Sequence, residues 1–413
     1  MTIKTSGNAF LALLFAGIVA GVVCGWFFGP AMQSVAWMGT FFLNALKMLI
    51  VPLIVSSMIV GIGSMGDVRR LGRQGGTIFV YYFTTTGLAV LLGIILVNII
   101  QPGVGVVLVE GSVVPDAVAG KEAIGFTDIV LSLISPNIVG AAAEMDILPL
   151  IVFSLAFGAV LTTLGVRGEP VLRFFDGVNE AMMKLVDIVM ILAPLGVFGL
   201  IASKLGDAGG GAAFWGELIK IGKYSLTVLL GLLLHAVVVL PLILSLVTRR
   251  NPLRYAMGMM PAIGTAWSTA SSSATLPVTL DCAEERNKVS RRSALFVLPL
   301  GATINMDGTA LYEAVAAIFI AQAVGVDLSA GQQTLIFITA TLAAIGAAGI
   351  PQAGLVTMVI VLKAVGLPLE GIGLILAVDW FLDRFRTSVN VWGDSVGAAV
   401  LDHYHPVTNA PAK

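Results

Sequence analysis

Residues 346–354 read GAAGIPQAG, and they interrupt a long apolar stretch that runs from 330 to 370. Residues 271–277 read SSSATLP, and they interrupt the stretch from 255 to 285 in the same way, with small residues and a proline. A long apolar run with polar residues in its middle follows each interruption. Paired interruptions in corresponding halves of a chain are typical of inverted repeats whose broken segments form a binding site. We therefore interpret both stretches as hairpins.

The composition places most of the chain in a membrane. Of its 413 residues, 57% are hydrophobic and 11% are charged, and the mean hydropathy is +0.98. Soluble domains carry about 25% charged residues, so most of this surface cannot face water. The net charge of −1 argues against nucleic acid as a partner. The two cysteines, Cys24 and Cys282, support neither a disulfide framework nor a zinc site.

Apolar runs long enough to cross a hydrocarbon core of about 30 Å recur along the whole chain. We predict an all-α membrane protein with eight transmembrane helices and two re-entrant helical hairpins arranged as inverted repeats. The predicted spans are 9–29, 36–64, 76–100, 127–163, 181–205, 216–247, 291–323 and 371–401. The hairpins fall between the sixth and seventh spans and between the seventh and eighth.

Basic residues decide the predicted orientation. Arginines follow the second, fourth and sixth spans, and another basic cluster lies at 286–292. Basic loops favour the cytoplasmic side, and these clusters share one side if the N-terminus is cytoplasmic. With the C-terminal tail also assigned to the cytoplasm, the second hairpin enters from outside. Compact loops without an N-x-S/T acceptor favour a prokaryote, so we predict a multi-pass protein of the cell inner (plasma) membrane.

The eighth span carries the densest group of charges. These residues, spaced by 4, 3, 4 and 4 positions, are Asp379, Asp383, Arg386, Asn390 and Asp394. Helical geometry puts them on one stripe about 80° wide. Each intramembrane charge costs about 2.5–3.5 kcal/mol, so the stripe needs partners or ligands. An ion-pair network that only joins helices is the alternative, but three acids and one base do not balance, which favours bound cations.

The seventh span contains the sequence NMDGT at 305–309. Glycine weakens a helix, and Asn and Asp compete for its backbone hydrogen bonds, so a break here would expose carbonyls. Oxygen ligands suit hard cations such as Na⁺, and a simple helix cap is the alternative. Glu313 lies one turn farther along the same face. Because burial favours the protonated form of a carboxyl, Glu313 is a candidate proton carrier.

Other polar residues within the spans are less specific. The third span carries YYFTTT at 81–86, whose hydroxyls either ligate an ion or bond only to their own helix. Arg384 lies on a different face from the charged stripe, where it either supports the site or extends toward the membrane surface. His235, in the sixth span, is interpreted as an ordinary packed residue.

Four motifs resemble those of the dicarboxylate/amino acid:cation symporter (glutamate transporter) family, and the resemblance covers nearly the whole chain. They are SSSATLPVT at 271–279, NMDGTALYEA at 305–314, GIPQAGLVTM at 349–358 and DWFLDRFRTSVNVWGD at 379–394. The resemblance implies a secondary active transporter, not an enzyme, for glutamate or aspartate. It implies Na⁺ as the co-transported ion, with H⁺ and K⁺ as further candidates for coupling. It also implies a homotrimer embedded in membrane lipid.

The resemblance assigns roles to individual residues that would bind the substrate. Arg386 would hold the side-chain carboxylate and Asp383 the ammonium group, while Asp379 and Arg384 would support them from behind. The remaining substrate contacts would come from Ser272, Ser273, Thr309, Ile350, Gly354, Thr387 and Asn390. Glu313 stands where the animal branch of the family uses a glutamate in proton coupling.

Three sodium sites are implied in the same way. The first would use Asp394 with the carbonyls of Gly301, Asn305 and Asn390. The second would use Tyr82, Thr85, Thr86, Asn305 and Asp307. The third would use the carbonyl of Thr303 with those near Ala344, Ile345 and Ala347. Ala344 replaces a serine of the animal branch, which leaves the backbone as the ligand at that position.

The family architecture implies a division of the chain into two units. Residues 1–75 and 127–210 would form a scaffold that trimerises. Residues 76–126, with the third span and an outer loop, and residues 211–413 would form a unit that carries substrate by elevator-type alternating access.

Rival readings remain open. A symporter of C4-dicarboxylates would have no ammonium group for Asp383, and a symporter of neutral amino acids would not need Arg386. An ion channel would need a continuous polar path. An intramembrane hydrolase would need an activated nucleophile, and the serines at 271–273 have no histidine nearby in the sequence.

Overall fold

The computed structural model describes residues 7–63, 72–104, 131, 133–144, 146–207, 211–345 and 353–405. These residues form helices and no strand, so the predicted all-α class is confirmed for them. The first helices are α1 Gly7–Phe28, α2 Ala36–Gly63, α3 Gly72–Ile100, α4 Ile138–Glu144, α5 Ile147–Thr163, α6 Glu169–Ile191 and α7 Ala193–Asp207. They are followed by α8 Gly211–Leu234, α9 Leu240–Thr248, α10 Pro252–Thr269, α11 Ser272–Asp281, α12 Arg291–Ile304, α13 Asp307–Ala323, α14 Ala330–Ile345, α15 Ala353–Ala364 and α16 Ile372–Tyr404.

The apolar helices are those of a membrane protein. Within the described residues, four segments are long and apolar enough to cross a membrane: Phe15–Phe42, Arg73–Ile100, Ile219–Thr248 and Arg291–Ala323. Large hydrophobic side chains on these segments are exposed, among them Phe27 at 74% and Ile99 at 73%. A helix satisfies its own backbone hydrogen bonds, so such side chains are suited to contact with lipid.

The helices pack in two groups. In the first group α1 lies along α7, and α2 contacts α5, α6 and α7. In the second group α16 is central and contacts α8, α9, α10, α12 and α13, while α3 lies along α13. The groups meet where α7 approaches α16 and where Phe15 packs edge-on against Trp380, with ring centroids 6.4 Å apart.

The first hairpin consists of α10 and α11, which pack against each other. The predicted tip, 271–277, is wrong in extent, because α11 already begins at Ser272 and contains Pro277. The chain reverses at Ala270, which has a left-handed φ of 49°, and the Ser271 hydroxyl caps α11 by accepting the N–H of Ala274 at 3.1 Å. The second hairpin consists of α14 and α15, which also pack together. Residues 346–352 of its predicted tip lie outside the described residues.

Besides the seventh span, which is interrupted between α12 and α13, three predicted spans are not single uninterrupted helices. The fourth contains α4 and α5 with a break at Asp146, and its first residues lie outside the described chain. The fifth is divided at Leu192, because Pro194 lacks the N–H needed to continue α6. The sixth is widened into a π-helical turn over His235–Val239, which joins α8 to α9 just before Pro241.

Candidate functional site

The seventh span breaks within the predicted NMDGT sequence. Helix α12 ends at Ile304 and α13 begins at Asp307, and the two residues between them have non-helical backbone angles. Asn305 has φ −97° and ψ 81°, and Met306 has φ −112° and ψ 60°. The break lies in the interior, since Asn305 and Asp307 are fully buried. Polar backbone is therefore exposed to a cavity or a neighbour at membrane depth.

The broken ends are held by α16. The N–H of Gly308 would bond to the carbonyl of Ile304 in a continuous helix, but it donates instead to Oδ1 of Asn390 at 2.8 Å. Nδ2 of Asn390 in turn donates to the hydroxyl of Thr309 at 3.3 Å. Position 308 requires glycine because a Cβ would lie 2.7 Å from the carbonyl oxygen of Arg386. The predicted substrate residues Thr309 and Asn390 are thus joined at the break.

The predicted stripe on α16 is buried along its length. Its members Asp379, Asp383, Arg386, Asn390 and Asp394 are at most 6% exposed. The helix therefore brings three carboxylates and one guanidinium into the interior on one face. Partners from α3, α12 and α13 surround them, as the following contacts show.

Arg386 is the middle residue of this stripe. Its Nη2 lies 2.8 Å from Oδ1 of Asp383 and 2.9 Å from Oδ1 of Asp379. Its guanidinium carbon lies 3.9 Å from the centre of the Tyr312 ring, a cation–π contact. One corner of the guanidinium is therefore neutralised by acids, and its face is covered by an aromatic ring.

The other donors of Arg386 are not used by any of the described residues. Neither Nε nor Nη1 has a hydrogen-bond partner among the described residues. Gly354, the second residue of α15, approaches Nη1 so closely that a Cβ would lie 2.6 Å from it and 3.2 Å from Cγ2 of Thr309. The predicted substrate residues of α13, α15 and α16 therefore converge around unused guanidinium donors.

Asp307 forms the centre of a second polar cluster with the third span. Its Oδ1 accepts the hydroxyl of Thr86 at 2.7 Å and that of Thr85 at 3.3 Å. Thr85 also lies 3.4 Å from Oδ1 of Asn305. The other carboxylate oxygen, Oδ2, lies 3.0 Å from Nε2 of His235. Four of the five residues predicted for the second sodium site, Thr85, Thr86, Asn305 and Asp307, are therefore linked by a chain of contacts.

Asp394 lies beside this cluster. Its Oδ1 accepts Nδ2 of Asn305 at 3.0 Å. The carboxylate of Asp394 packs against the backbone of Gly301. A Cβ at position 301 would collide with this carboxylate and would lie 3.0 Å from the Tyr82 hydroxyl. Tyr82 itself donates to the carbonyl of Val297 at 2.9 Å. The residues predicted for the first two sodium sites thus form one continuous oxygen-rich region.

The remaining predicted substrate residues are Ser272, Ser273, Thr387 and Ile350. Ser272 is buried at the start of α11, whereas Ser273 is exposed. The hydroxyl of Thr387 bonds to the carbonyl of Asp383 on its own helix at 2.8 Å. Ile350 lies outside the described residues, so its predicted role stays a prediction.

The third predicted sodium site is only partly within the described chain. Thr303 is exposed, and its hydroxyl donates to the carbonyl of Leu300 at 3.0 Å. Ala344 and Ile345 are buried at the end of α14, which contacts α12. Ala347 lies outside the described residues. The helices that would form the site are therefore adjacent, and its ligands stay a prediction.

Comparison with known sequences relates this chain to a known family. The model of the sodium:dicarboxylate symporter family matches residues 10–404. The chain belongs to this family. Excitatory amino acid transporter 3 of Homo sapiens is 46% identical, over 89% of this chain and 78% of its own length. Excitatory amino acid transporter 1 of Ambystoma tigrinum is 42% identical, over 96% of this chain and 83% of its own.

A third relative is also named an excitatory amino acid transporter. Excitatory amino acid transporter 4 of Mus musculus is 43% identical, over 96% of this chain and 83% of its own. The predicted resemblance is thereby confirmed, and the symporter is a transporter and not an enzyme.

Glu313 of the symporter is fully buried one helical turn beyond Thr309. Its Oε1 accepts a hydrogen bond from the hydroxyl of Thr357 on α15. The predicted proton carrier therefore connects the helix that contains the break to the second hairpin. A change in the hydrogen bonding of Glu313 would act directly on α15, the second helix of that hairpin.

Arg384 supports the first hairpin. Its Nη1 donates to the carbonyls of Trp267 and Ser268, both at 3.0 Å, and its guanidinium carbon lies 5.5 Å from the centre of the Trp267 ring. These carbonyls belong to the last turn of α10, where a helix lacks intrahelical donors. The structure thus favours the supporting role that sequence reasoning left open.

Sequence reasoning did not single out several residues that contact the candidate site. Tyr312 lies under Arg386, and Thr357 pairs with Glu313. His235, interpreted from the sequence as an ordinary packed residue, is fully buried, and its Nε2 also contacts the predicted ligand Asp307. The signal for His235 was present, because an ionisable residue within a span marks a functional site by default. Tyr312 and Thr357 gave no comparable signal, since such residues are common in apolar helices.

Proposed function

We propose that this symporter takes up acidic amino acids, glutamate or aspartate, together with Na⁺. The relatives named excitatory amino acid transporters support this substrate class. Na⁺ is cargo, and H⁺ carried on Glu313 is a second coupled ion in the proposal, with K⁺ as a further candidate. The protein would lie in the cell inner (plasma) membrane with both termini in the cytoplasm.

The hydrogen bonding of Arg386 is the observation that supports the substrate assignment. A buried guanidinium whose Nε and Nη1 lack partners among the described residues leaves donors unsatisfied in a dry interior, which costs free energy. A carboxylate is the ligand whose planar geometry matches two such donors. Asp383, three residues earlier, is positioned to accept an ammonium group while Asp379 keeps part of the arginine charge neutralised. A carboxylate and an ammonium on one small molecule describe an acidic amino acid.

The cluster around Asp307 and Asp394 supports cation coupling. Both carboxylates are buried, and their described neighbours offer hydroxyl and amide groups together with His235. Buried carboxylates need a compensating positive charge, and oxygen donors suit Na⁺. One Na⁺ entering through a tenfold gradient and about 100 mV releases about 3.7 kcal/mol. Two or three ions would supply about 7–11 kcal/mol for uphill uptake.

The proposed transport cycle uses the two packing groups. The group of α3 and α8–α16 would be the carrying unit, and α1, α2 and α4–α7 would be a scaffold that trimerises within membrane lipid. This corresponds to residues 76–126 and 211–413 for the first and to 1–75 and 127–210 for the second. Eight spans and two re-entrant hairpins form the proposed topology, with the hairpin tips as gates. The separate packing of the two groups supports sliding of one against the other.

Uptake into proteoliposomes tests the proposal. Radiolabelled aspartate and glutamate are offered with an inward Na⁺ gradient or with choline in place of Na⁺. We expect Na⁺-dependent uptake in the wild type, its loss in Arg386→Ala, and its retention in Arg254→Ala, an exposed arginine of α10. Arg386→Lys keeps a charge for the two acids but loses the fork, so it tests the carboxylate role without stranding Asp379 and Asp383. Accumulation of succinate or serine in place of the acidic amino acids would contradict the proposal.

A further inference from the structure

The sixth span places an imidazole against one of the proposed cation ligands. Nε2 of His235 lies 3.0 Å from Oδ2 of Asp307, and both side chains are fully buried. The two oxygens of Asp307 have separate partners, because Oδ1 is held by the hydroxyls of Thr85 and Thr86. His235 therefore contacts only the carboxylate oxygen that the threonines leave free.

The sequence presents His235 through a local distortion of the helix. Pro241 has no N–H, so the regular i to i−4 pattern cannot continue through it. The turn His235–Val239 is π-helical, and the N–H of Leu240 reaches back five residues to the carbonyl of His235. Nε1 of Trp392, on α16, donates to the carbonyl of Ala236 in the same turn at 3.0 Å. π-helical turns of this kind often occur at functional sites.

The surroundings define the tautomer of His235. An ionised carboxylate only accepts hydrogen bonds, so Nε2 carries the proton and donates to Asp307. Nδ1 has no hydrogen-bond partner within the part of the chain that is described. The contact is therefore assigned as a hydrogen bond from the N–H at Nε2 of the imidazole to Oδ2 of the carboxylate.

We propose that His235 is a positioning residue for the cation site, an inference that rests on the proposed sodium coupling. Its hydrogen bond holds Oδ2 of Asp307 and directs Oδ1, with Thr85, Thr86 and Asn305, toward the ion. Gly393 lies close to this cluster, since a Cβ there would lie 3.2 Å from both Oδ2 of Asp307 and Nδ2 of Asn305. Without the imidazole donor the carboxylate gains rotational freedom that each binding event must remove. Preorganisation of this kind raises affinity by reducing the ordering cost.

Sodium binding to the purified full chain in detergent tests the inference without transport. The measurement is the Na⁺ concentration that gives half of the Na⁺-specific rise in unfolding temperature, with choline as the reference salt. The variants are His235→Leu, which removes the donor, and His235→Gln, whose amide nitrogen reaches about as far as Nε2. Thr227→Val is the matched control, because Thr227 is a buried residue of α8 whose hydroxyl bonds to the Lys223 carbonyl of its own helix.

We expect the half-maximal Na⁺ concentration to rise by about tenfold in His235→Leu, the low end for a hydrogen bond to a charged group. It should stay within about threefold of the wild type in His235→Gln, and Thr227→Val should match the wild type. His235→Asn carries the same amide one carbon shorter, so it should behave like the leucine variant even if the latter does not fold.

An unchanged half-maximal concentration in His235→Asn or His235→Leu would overturn the positioning role. So would a glutamine variant as weak as the leucine variant, since that would mean the donated hydrogen bond is irrelevant. A wild type stabilised no more by Na⁺ than by choline would instead overturn the proposed sodium coupling, and this inference with it.

Discussion

Nη2 of Arg386 donates to Oδ1 of Asp383 at 2.8 Å, one helical turn apart on α16. The same nitrogen lies at ion-pair distance from Asp379, while Nη1 faces Gly354. The guanidinium thus uses one corner for its own helix, while Nε and Nη1 have no hydrogen-bond partner within the described part of the chain, and we propose that they bind the ligand. This separation predicts that the two ends of a substrate depend on different residues.

Asp383→Asn should reduce binding of the amino group more than binding of the carboxylate. We expect the affinity for aspartate to fall by about tenfold or more, because a charged hydrogen bond to the ammonium is lost. Arg386 keeps Asp379 as a partner, so the site should still fold. Competition against labelled aspartate measures this effect, with succinate as the ligand that lacks an amino group. An equal loss for aspartate and succinate would show that Asp383 only supports Arg386.

Gly354→Ala should block the site by adding one methyl group. Its Cβ would lie 2.6 Å from Nη1 of Arg386, so the arginine or the hairpin must move. We expect Na⁺-driven uptake to fall by about tenfold or more, in line with the cost of overpacking a filled interior. Gly264→Ala in the first hairpin is the matched control, because among the described residues no atom outside the neighbouring turns of its own helix lies within 4 Å of the added Cβ. Comparable losses in both variants would indicate a general effect on hairpin helices.

Glu313→Gln should separate proton coupling from sodium coupling. The glutamine oxygen still accepts the Thr357 hydroxyl, so the contact between α13 and α15 is retained. We expect an inward proton gradient to stimulate aspartate uptake by the wild type but not by Glu313→Gln. Na⁺ dependence should persist in both proteins. Proteoliposomes with independently set pH and Na⁺ gradients measure this, and a stimulated glutamine variant would exclude Glu313 as the carrier.

Asp394→Asn should weaken sodium binding selectively. The substitution removes a buried negative charge beside Asn305 and Gly301 but keeps the side-chain size. We expect the Na⁺ concentration for half-maximal uptake to rise by about tenfold or more, because charge-assisted ligation is lost. Asp402→Asn, on the same helix but paired with Arg250, is the control and should leave sodium dependence unchanged. A larger shift in the control would place the sodium effect outside this cluster.

Much of the fold and of the site could be predicted from the sequence. The apolar runs predicted helices, and the spacing on α16 predicted one charged face, which is buried along its length. The NMDGT sequence predicted the break between α12 and α13, because glycine, asparagine and aspartate each oppose a regular helix there. These outcomes depend on local backbone preferences and helical periodicity, which any short window of sequence contains.

Other features depended on contacts between residues far apart in the chain. The side-chain partners of Asp307 come from the third and the sixth span, and Thr357 meets Glu313 across 44 positions. The predicted extent of the first hairpin tip is wrong because Ser271 caps α11, so the helix begins well before Pro277.

The sequence by itself determined that the chain is a helical membrane protein with a charged interior face, because hydrophobicity and periodicity are properties of each segment alone. Only the tertiary structure decided that His235 contacts Asp307 and that Nε and Nη1 of Arg386 have no hydrogen-bond partner among the described residues. Those relationships depend on how helices pack, and packing is set by shape and distance across the whole fold.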